Sequence, residues 1–401
     1  MDRLVNCPVS RRVRLAAGAL CTSLLTACVL YLPPRPRPEP DLSAHADVLL
    51  ATERGMRSVV FDAHHGYLSL SNTTGGPSLV LRTGSMVNRF STWLPLDLEQ
   101  CALGPARGGE ALRAPALARV DGKIFLFQST PGSAKEHSLC QFEHAMEWFA
   151  PRDEALRVCT GLYCERLWMT DLQSHRGQLL SNAGGGINLL ASADDARHWR
   201  ALLGSVDHDA CPHSAWRIVG NRLLTGGACP GEGAFLRAYA LAPDGVNLAS
   251  TEPLPMALPA LENRRVHFIG EAGGRVFAGV EGGLLRSLDG ARSFQFVLGQ
   301  LEASGQPTIL SLLALRNRPG IVLATGFVQA SGKPFLALSR DGGARWTDVS
   351  ASLPGYERAR FEGSTQLTSL VQDRLGRIVL TLNLDQDARG RLVLLTLGGV
   401  D

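Results

Sequence analysis

The clearest indication of the fold is the octet Ser339-Arg340-Asp341-Gly342-Gly343-Ala344-Arg345-Trp346. In a tight hairpin, an Asp side chain accepts backbone N–H groups and Gly supplies a positive φ. An aromatic side chain can then pack beneath the turn. The pattern occurs twice more, as Ser-x-Asp, a turn of small residues and an aromatic at the eighth position, in Ser192–Trp199 and Ser287–Phe294. Three copies in one chain predict a repeated hairpin.

The spacing of the three octets predicts the architecture. Ser192 and Ser287 are 95 residues apart, and Ser287 and Ser339 are 52 residues apart. The repeat is therefore roughly 50 residues, with one repeat that lacks the octet, and this length suits one four-stranded blade. From about residue 50 to residue 401 the sequence predicts seven blades, with six or eight as alternatives. Strands without an octet are predicted at Ser58–Phe61, Lys123–Phe127, Trp216–Val219 and Arg377–Leu380.

The octets resemble the Asp boxes of BNR-repeat β-propellers, a superfamily that includes sialidases, sortilin-type receptors and proteins like the photosystem II assembly factor. The third copy matches best, whereas the first and second have Ala196 and Ala291 in place of a Gly. The resemblance implies an all-β, single β-propeller with Asp-box hairpins on its rim. The predicted structural residues of the boxes are Ser192, Asp194, Trp199, Ser287, Asp289, Phe294, Ser339, Asp341, Gly343 and Trp346. The final apolar run, Leu392–Leu397, is expected to pair with a strand of the first blade, because closure removes two exposed sheet edges.

The N-terminus has the features of an export signal. Arg11, Arg12 and Arg14 precede an apolar run from Leu15 to Leu32. Within that run, Leu25-Thr26-Ala27-Cys28 resembles a bacterial lipobox, which implies that Cys28 is lipidated and that the protein is held at a membrane by its N-terminus. An uncleaved anchor and simple secretion are the alternatives. The predicted divisions are a signal segment (1–28), a Pro-rich linker (29–45) and the propeller (46–401).

Charge and composition exclude one class of partner. The chain has 401 residues, 45% of them hydrophobic and 19% charged, which is ample for a large core. The formal net charge is only +3, and no basic tract is present. Because nucleic-acid binding depends on clustered Lys and Arg, we expect no nucleic-acid partner.

The cysteines support export to an oxidising compartment. Beyond the signal there are six, an even number, which predicts three disulfides. The favoured pairs, on proximity in sequence, are Cys101–Cys140, Cys159–Cys164 and Cys211–Cys229. Their spacing does not fit the short paired ligands of a structural zinc site.

A hydrolase is the alternative to a binding module. Arg113-Ala114-Pro115 resembles the Arg-Ile-Pro strand of sialidases. That resemblance implies an Arg cluster for a substrate carboxylate, a Tyr nucleophile and a nearby Glu. The candidates are Arg113, Arg264 or Arg265, Arg358 or Arg360, Tyr356, and Glu357 or Glu362. However, the segment after Arg113 offers no convincing acid/base Asp, and adjacent Tyr356 and Glu357 would point apart on a strand.

Two clusters of metal-ligand residue types do not amount to a site. Asp207-His208-Asp209 with His213 lies in a polar loop, and Asn383-x-Asp385-x-Asp387 lacks the Gly and Glu of a calcium loop. We therefore expect neither metal nor cofactor. The sequence favours a membrane-tethered, extracytoplasmic propeller that binds a protein or glycan, in the periplasm or cell envelope, over a sialidase-like glycoside hydrolase.

Overall fold

The computed structural model describes residues 43–52, 54–70, 79–84, 87–98, 101, 116–127, 139–145, 148–151, 157–160, 163–166, 169–183, 188–201, 213–229, 231, 233–245, 247–261, 264–299, 306–328, 330–354, 356, 369–383 and 390–398. In this part of the chain no helix is long and apolar enough to span a membrane.

The described residues form strands and one short 3-10 helix, Ser350–Ser352. In chain order the strands are β1 (Ser43–Thr52), β2 (Met56–Phe61), β3 (His65–Leu70), β4 (Leu79–Gly84), β5 (Leu94–Pro95), β6 (Ala116–Val120), β7 (Lys123–Phe127), β8 (Leu139–Glu143), β9 (Trp148–Pro151), β10 (Arg157–Thr160), β11 (Tyr163–Arg166), β12 (Met169–His175), β13 (Gln178–Ala183), β14 (Asn188–Ser192), β15 (Arg200–Ala201), β16 (His213–Val219), β17 (Arg222–Cys229), β18 (Gly233–Ala240), β19 (Val266–Ala272), β20 (Arg275–Val280), β21 (Gly283–Ser287), β22 (Gln295–Leu298), β23 (Pro307–Ala314), β24 (Val322–Val328), β25 (Pro334–Ser339), β26 (Thr347–Asp348), β27 (Ser369–Gln372), β28 (Ile378–Asn383) and β29 (Gly390–Gly398).

Consecutive strands pair antiparallel into up-and-down sheets arranged as a β-propeller. Four sheets have four strands: β2–β5, β6–β9, β12–β15, and β27–β29 completed by β1. A fifth sheet, β16–β18, has three strands, and β19–β26 form one sheet of eight strands. A separate hairpin, β10–β11, lies in the chain between β9 and β12. The all-β prediction is confirmed.

The predicted count of seven four-stranded blades differs from this description, in which five blades are separate sheets. One reason is a single parallel bridge between Gly283 of β21 and Thr308 of β23, which joins eight strands into one sheet. The other is that β18 meets only an isolated antiparallel bridge, Ala238 with Leu254, where a fourth strand would lie. Both features depend on tertiary contacts that a repeat length does not reveal.

The first strands of the separate sheets, together with β19 and β23 of the eight-stranded sheet, contact one another in a ring, and we call them the innermost strands. β2 contacts β6 and β27, β6 contacts β12, and β19 contacts both β16 and β23, which in turn contacts β27. Side chains link the backbones of these innermost strands. Gln173 Nε2 donates to Trp216 O at 3.3 Å, and Ser214 Oγ donates to Val266 O at 2.5 Å. The innermost strands therefore surround the central channel expected of a propeller.

The two ends of the propeller chain close on each other. β1 pairs antiparallel with β29, from Ser43 opposite Gly398 to Thr52 opposite Gly390. The final apolar run thus pairs with the chain's first strand, and that strand completes the last sheet rather than joining β2–β5. β1 begins at Ser43, within the segment that the sequence assigns to the linker. This pairing joins the first and last described strands of the ring in one sheet, in which β1 is the outermost strand.

The core lies between neighbouring sheets. Leu323, Leu336 and Leu338 of β24 and β25 pack against Leu380 and Val393 of β28 and β29, and all five are at most 2% exposed. Similar clusters fill the other junctions between sheets. Because strands carry apolar side chains on both faces here, blades stabilise one another rather than folding singly.

The predicted disulfide between Cys101 and Cys140 is confirmed. Cys229 is also disulfide-bonded, and its predicted partner, Cys211, lies outside the described residues. Cys159 and Cys164 lie directly opposite each other in the hairpin β10–β11. Their disulfide, and that of Cys211 with Cys229, stay predictions.

Candidate functional site

Five innermost strands carry an irregularity at the same place, close to where each strand begins. In each, the register against the second strand shifts so that one residue is left over. Such β-bulges redirect a side chain and often occur beside active sites. The bulged residues are Arg57 in β2, Thr170 and Asp171 in β12, Ser214 in β16, His267 in β19 and Leu310 in β23.

Strand direction places these bulges at one end of the propeller. Four of these five strands begin a sheet or the run β19–β22, and β23 runs parallel to β21 and therefore to β19, so all five begin at the same end, which we call the upper face. The third strand of each sheet runs in the same direction as the first and ends at the opposite end. The three octets connect third strands to fourth strands, so they lie at that opposite end, the box face.

We call the bulged residues of these five innermost strands the bulge ring, and Asp171 is its acidic member. Leu172 N donates to its Oδ1 at 2.8 Å, and Gln173 Nε2 donates to its Oδ2 at 2.9 Å. Desolvation raises the pKa of Asp171, although both hydrogen bonds and the charge of Arg217 oppose the increase. Its residue is nevertheless exposed to solvent. Burial of the carboxyl therefore disfavours its charged form, although the residue keeps contact with solvent.

Ser214 and His267 continue the ring on the next two innermost strands. Ser214 is exposed, and its hydroxyl donates to the backbone of Val266, next to His267. His267 Nε2 lies 3.1 Å from Oε1 of Glu281, a residue at the turn between β20 and β21. Desolvation lowers the pKa of His267, and the charge of Arg265 adds to this, whereas Glu281 raises it. Neutral imidazole is therefore favoured, and it can both donate and accept hydrogen bonds.

Arginines border this part of the ring. Arg265 is exposed, and its carbonyl accepts a 3.0 Å hydrogen bond from Glu281 N. The guanidinium of Arg264 lies 5.1 Å from the ring centroid of Phe296, a cation–π contact. The upper face thus combines a carboxyl, a hydroxyl, an imidazole and an exposed cation around the channel, a set that can recognise polar groups of either charge.

The three octets make the same set of local hydrogen bonds. In each, the Ser hydroxyl donates to the Asp Oδ1, at 2.8, 2.7 and 2.9 Å in chain order. The Ser oxygen in turn accepts the N–H of the octet's fifth residue, which is Ala196, Ala291 or Gly343. Trp199 Nε1 donates to Ala196 O, and Trp346 Nε1 donates to Gly343 O. These partners all lie within the octet itself.

Backbone conformation and packing explain why the fifth residue of the octet differs between the three copies. Ala196, Ala291 and Gly343 all have a positive φ, of 67°, 65° and 84°. The methyl groups of the two alanines are buried in core clusters. At Gly343, a Cβ would lie 2.6 Å from ring atoms of Phe277, so only Gly fits. Small residues therefore occur at this position for different packing reasons in different boxes.

The residues proposed for a sialidase-like site are not assembled among the described residues. Tyr356 packs against the core between β23–β26 and β27–β29, with Lys333 Nζ 4.7 Å from its ring centroid. Arg265 lies elsewhere in the chain, immediately before β19. Arg113, Arg358, Arg360, Glu357 and Glu362 lie outside the described residues, as does Cys28. Within the described ranges, no group of three or more His, Cys, Asp or Glu side chains is placed to hold a metal ion.

Sequence reasoning missed the bulge ring. Asp171, Ser214 and His267 each precede the apolar core of a strand, as in Val266-His267-Phe268-Ile269. In a sequence, a polar residue in that position indicates only the beginning of a strand. Only the register with the second strand shows that the residue is extra and shares its place with residues one and two blades away.

Comparison with known proteins identifies the fold and no family. No family model matches the chain, and no curated protein matches it. Among solved structures, YCF48 bound to D1 peptide is similar, with 15% identity over 90% of this chain and 98% of that one and a TM-score of 0.52. A GH74 xyloglucanase from Xanthomonas campestris has 14% identity, 84% and 52% coverage and a TM-score of 0.54. The extracellular domain of BT4673 from B. thetaiotaomicron has 11% identity, 88% and 40% coverage and a TM-score of 0.50. These similarities support the β-propeller.

Proposed function

We propose that this chain is an exported, membrane-tethered propeller that binds a protein or glycan at its upper face. The observation that carries the proposal is the ring of bulges, which brings Asp171, Ser214 and His267 from three consecutive innermost strands to one level of the channel. Bulges interrupt pairing and weaken a sheet locally, so their repetition around a channel favours a ligand-binding role.

The chemistry of the ring favours polar recognition over covalent catalysis. A poorly solvated carboxyl such as that of Asp171 gains from a ligand that donates hydrogen bonds or carries a positive charge. The exposed guanidinium of Arg265 can bind a negatively charged group of the ligand. The sialidase-like alternative has less support, because the ring of Tyr356 is engaged by the core and by Lys333.

We also propose that the propeller has seven blades. The eight-stranded sheet would then be two four-stranded blades, β19–β22 and β23–β26, that share one bridge. Two observations support this: β22 pairs only with β21, and β23 contacts β19 and β27 as an innermost strand does. With the five separate sheets, this grouping gives seven innermost strands.

Export and tethering rest on the N-terminal sequence. The signal segment (1–28), with lipidation at Cys28, and the linker (29–45) would hold the propeller outside the cytoplasm. The similar fold of the extracellular domain of BT4673 is compatible with that location, and YCF48 bound to D1 peptide is an example of this fold with a peptide ligand.

The proposal is tested by array binding with a matched pair of variants. The labelled protein is applied to arrays of glycans and of peptides, as wild type, as Asp171→Asn and as Asp195→Asn. Asp195 is an exposed carboxylate on the box face that pairs with Lys123 at 2.5 Å, and Asn tolerates its φ of 61°. We expect Asp171→Asn to weaken binding about tenfold or more, which is about 1.4 kcal/mol. Asp195→Asn should bind as the wild type does.

If Asp171→Asn binds every array ligand like the wild type, or if Asp195→Asn causes the larger loss, the upper face is not the binding surface.

A further inference from the structure

A second feature lies at the box face, between two neighbouring four-strand groups. Arg275 begins β20, and Arg286 of β21 lies directly opposite Phe277 of β20. Residues opposite each other, and residues two apart on a strand, share one face of a sheet. The three side chains therefore face the same way, towards the hairpin of the third octet.

Close contacts with that hairpin confirm the direction. A Cβ at Gly343 would lie 2.6 Å from the ring of Phe277, and a Cβ at Gly342 would overlap the guanidinium of Arg275. Gly342 and Gly343 thus leave the space that these side chains fill. Two guanidinium groups and one aromatic ring converge on the same turn.

The charges at this junction are not balanced. Arg286 is only 8% exposed, and its Nε is buried without a hydrogen-bond partner. Within the described part of the chain, neither Arg286 nor Arg275 forms an ion pair. Desolvation lowers the pKa of Arg286, the charge of Arg275 lowers it further, and Asp341 alone raises it. A buried cation without a partner is costly, so the folded chain has a reason to recruit an anion here.

Asp341 stabilises the Arg286 cation only at a distance, without an ion pair to it in the described part of the chain. Its Oδ1 already accepts Ser339 Oγ, Ala344 N and Arg345 N, and its residue is exposed. Among the described residues, the charged groups that act on Arg286 are one cation, Arg275, and one carboxylate, Asp341, which leaves one positive charge in excess. Guanidinium groups match the geometry of oxyanions, because their N–H groups form parallel hydrogen bonds to two oxygens.

We infer that Arg275 and Arg286 form a binding site for a tetrahedral oxyanion, a sulfate or phosphate group, beside the third octet. The site is on the box face and does not depend on the function proposed for the upper face. Binding would neutralise the excess charge and link β20–β21 to the hairpin that follows β25.

Inorganic sulfate and phosphate are the probes, applied to the whole protein. Binding is measured by calorimetry and by the shift in melting temperature at constant ionic strength, with chloride as the balancing salt. The variants are Arg286→Met, Arg275→Gln and, as a matched control, Arg345→Gln. Arg345 is an exposed arginine of the same hairpin whose backbone N–H, not its side chain, contacts Asp341.

We expect saturable binding of sulfate and phosphate by the wild type and by Arg345→Gln. Arg286→Met and Arg275→Gln should each weaken it at least tenfold. In chloride alone, Arg286→Met should melt no lower than the wild type, because the substitution removes an unpaired buried charge.

Three results would overturn the inference. The first is a wild-type protein whose melting temperature responds to sulfate and chloride alike. The second is saturable binding retained by both Arg286→Met and Arg275→Gln. The third is a loss of binding in Arg345→Gln as large as the loss in Arg286→Met. Calorimetry on Arg275→Gln keeps the test decisive if Arg286→Met does not fold.

Discussion

Asp341 accepts three hydrogen bonds through one oxygen atom, from Ser339 Oγ at 2.9 Å, Ala344 N at 2.8 Å and Arg345 N at 2.9 Å. Desolvation raises the pKa of this carboxyl, but these donors outweigh that effect and lower the pKa overall. Asp289 shows the same behaviour, chiefly through the hydroxyl of Ser293. The octet aspartates therefore behave as internal caps of a hairpin.

Replacing Asp341 by Ala should reduce the free energy of unfolding by about 1 to 2 kcal/mol, as the loss of a capping side chain does. Asp341→Asn keeps an acceptor oxygen and should lose less. Chemical denaturation measures both, and ligand binding at the upper face should not change in either variant. A variant Asp341→Ala with wild-type stability and lost binding would show that the box is functional rather than structural.

His267 should make stability depend on pH. Desolvation lowers its pKa in the folded state, so below about pH 6.5 the unfolded chain binds more protons than the folded one. The free energy of unfolding should therefore fall as pH falls through that value, by at most about 1.4 kcal/mol per pH unit for one proton. Urea unfolding at pH 8, 6 and 5 should show a weaker decline for His267→Gln. An undiminished decline in that variant, matched by His45→Gln at an exposed site, would argue against this assignment.

The elements differ in how far sequence predicts them. The three octets are readable because their hydrogen bonds are local, and Asp289 finds its partners Ser287, Arg292 and Ser293 within six residues. The bulge at His267 is not readable, because it exists only as a register difference against β20. The bridge that merges β21 with β23 is likewise a contact between sheets. Local chemistry thus predicted the hairpins, whereas the candidate site depends on pairing between strands.

The disulfide between Cys101 and Cys140 links a residue outside the strands to strand β8. Both cysteines are fully buried, and they are 39 residues apart, with Cys140 in β8. A loop of that size should contribute about 3 to 4 kcal/mol by restricting the unfolded chain. The double variant Cys101→Ala/Cys140→Ala should lose that amount in denaturant unfolding under oxidising conditions. Equal stability of variant and wild type would mean that the bridge does not constrain the unfolded state.

At the scale of the whole molecule, the ring separates scaffold from site. Strand direction puts the octets on the box face and the bulges on the upper face. The scaffold is closed by β1 against β29, a pairing that joins residues about 350 positions apart, and such long-range contacts make folding slow. Residues of the upper face can then vary without loss of the three octet hairpins on the box face.

Site-specific photo-crosslinking distinguishes a ligand at the upper face from a ligand at the box face. A photoreactive amino acid is placed either at Ser214, in the bulge ring, or at Leu288, which is 62% exposed in the second octet. Each protein is irradiated with ultraviolet light in the envelope of the cells that produce it, so the ligand need not be known in advance. We predict a discrete crosslinked product from position 214 and none from position 288. Crosslinking from position 288 alone would place the ligand on the box face and would rule out binding at the upper face.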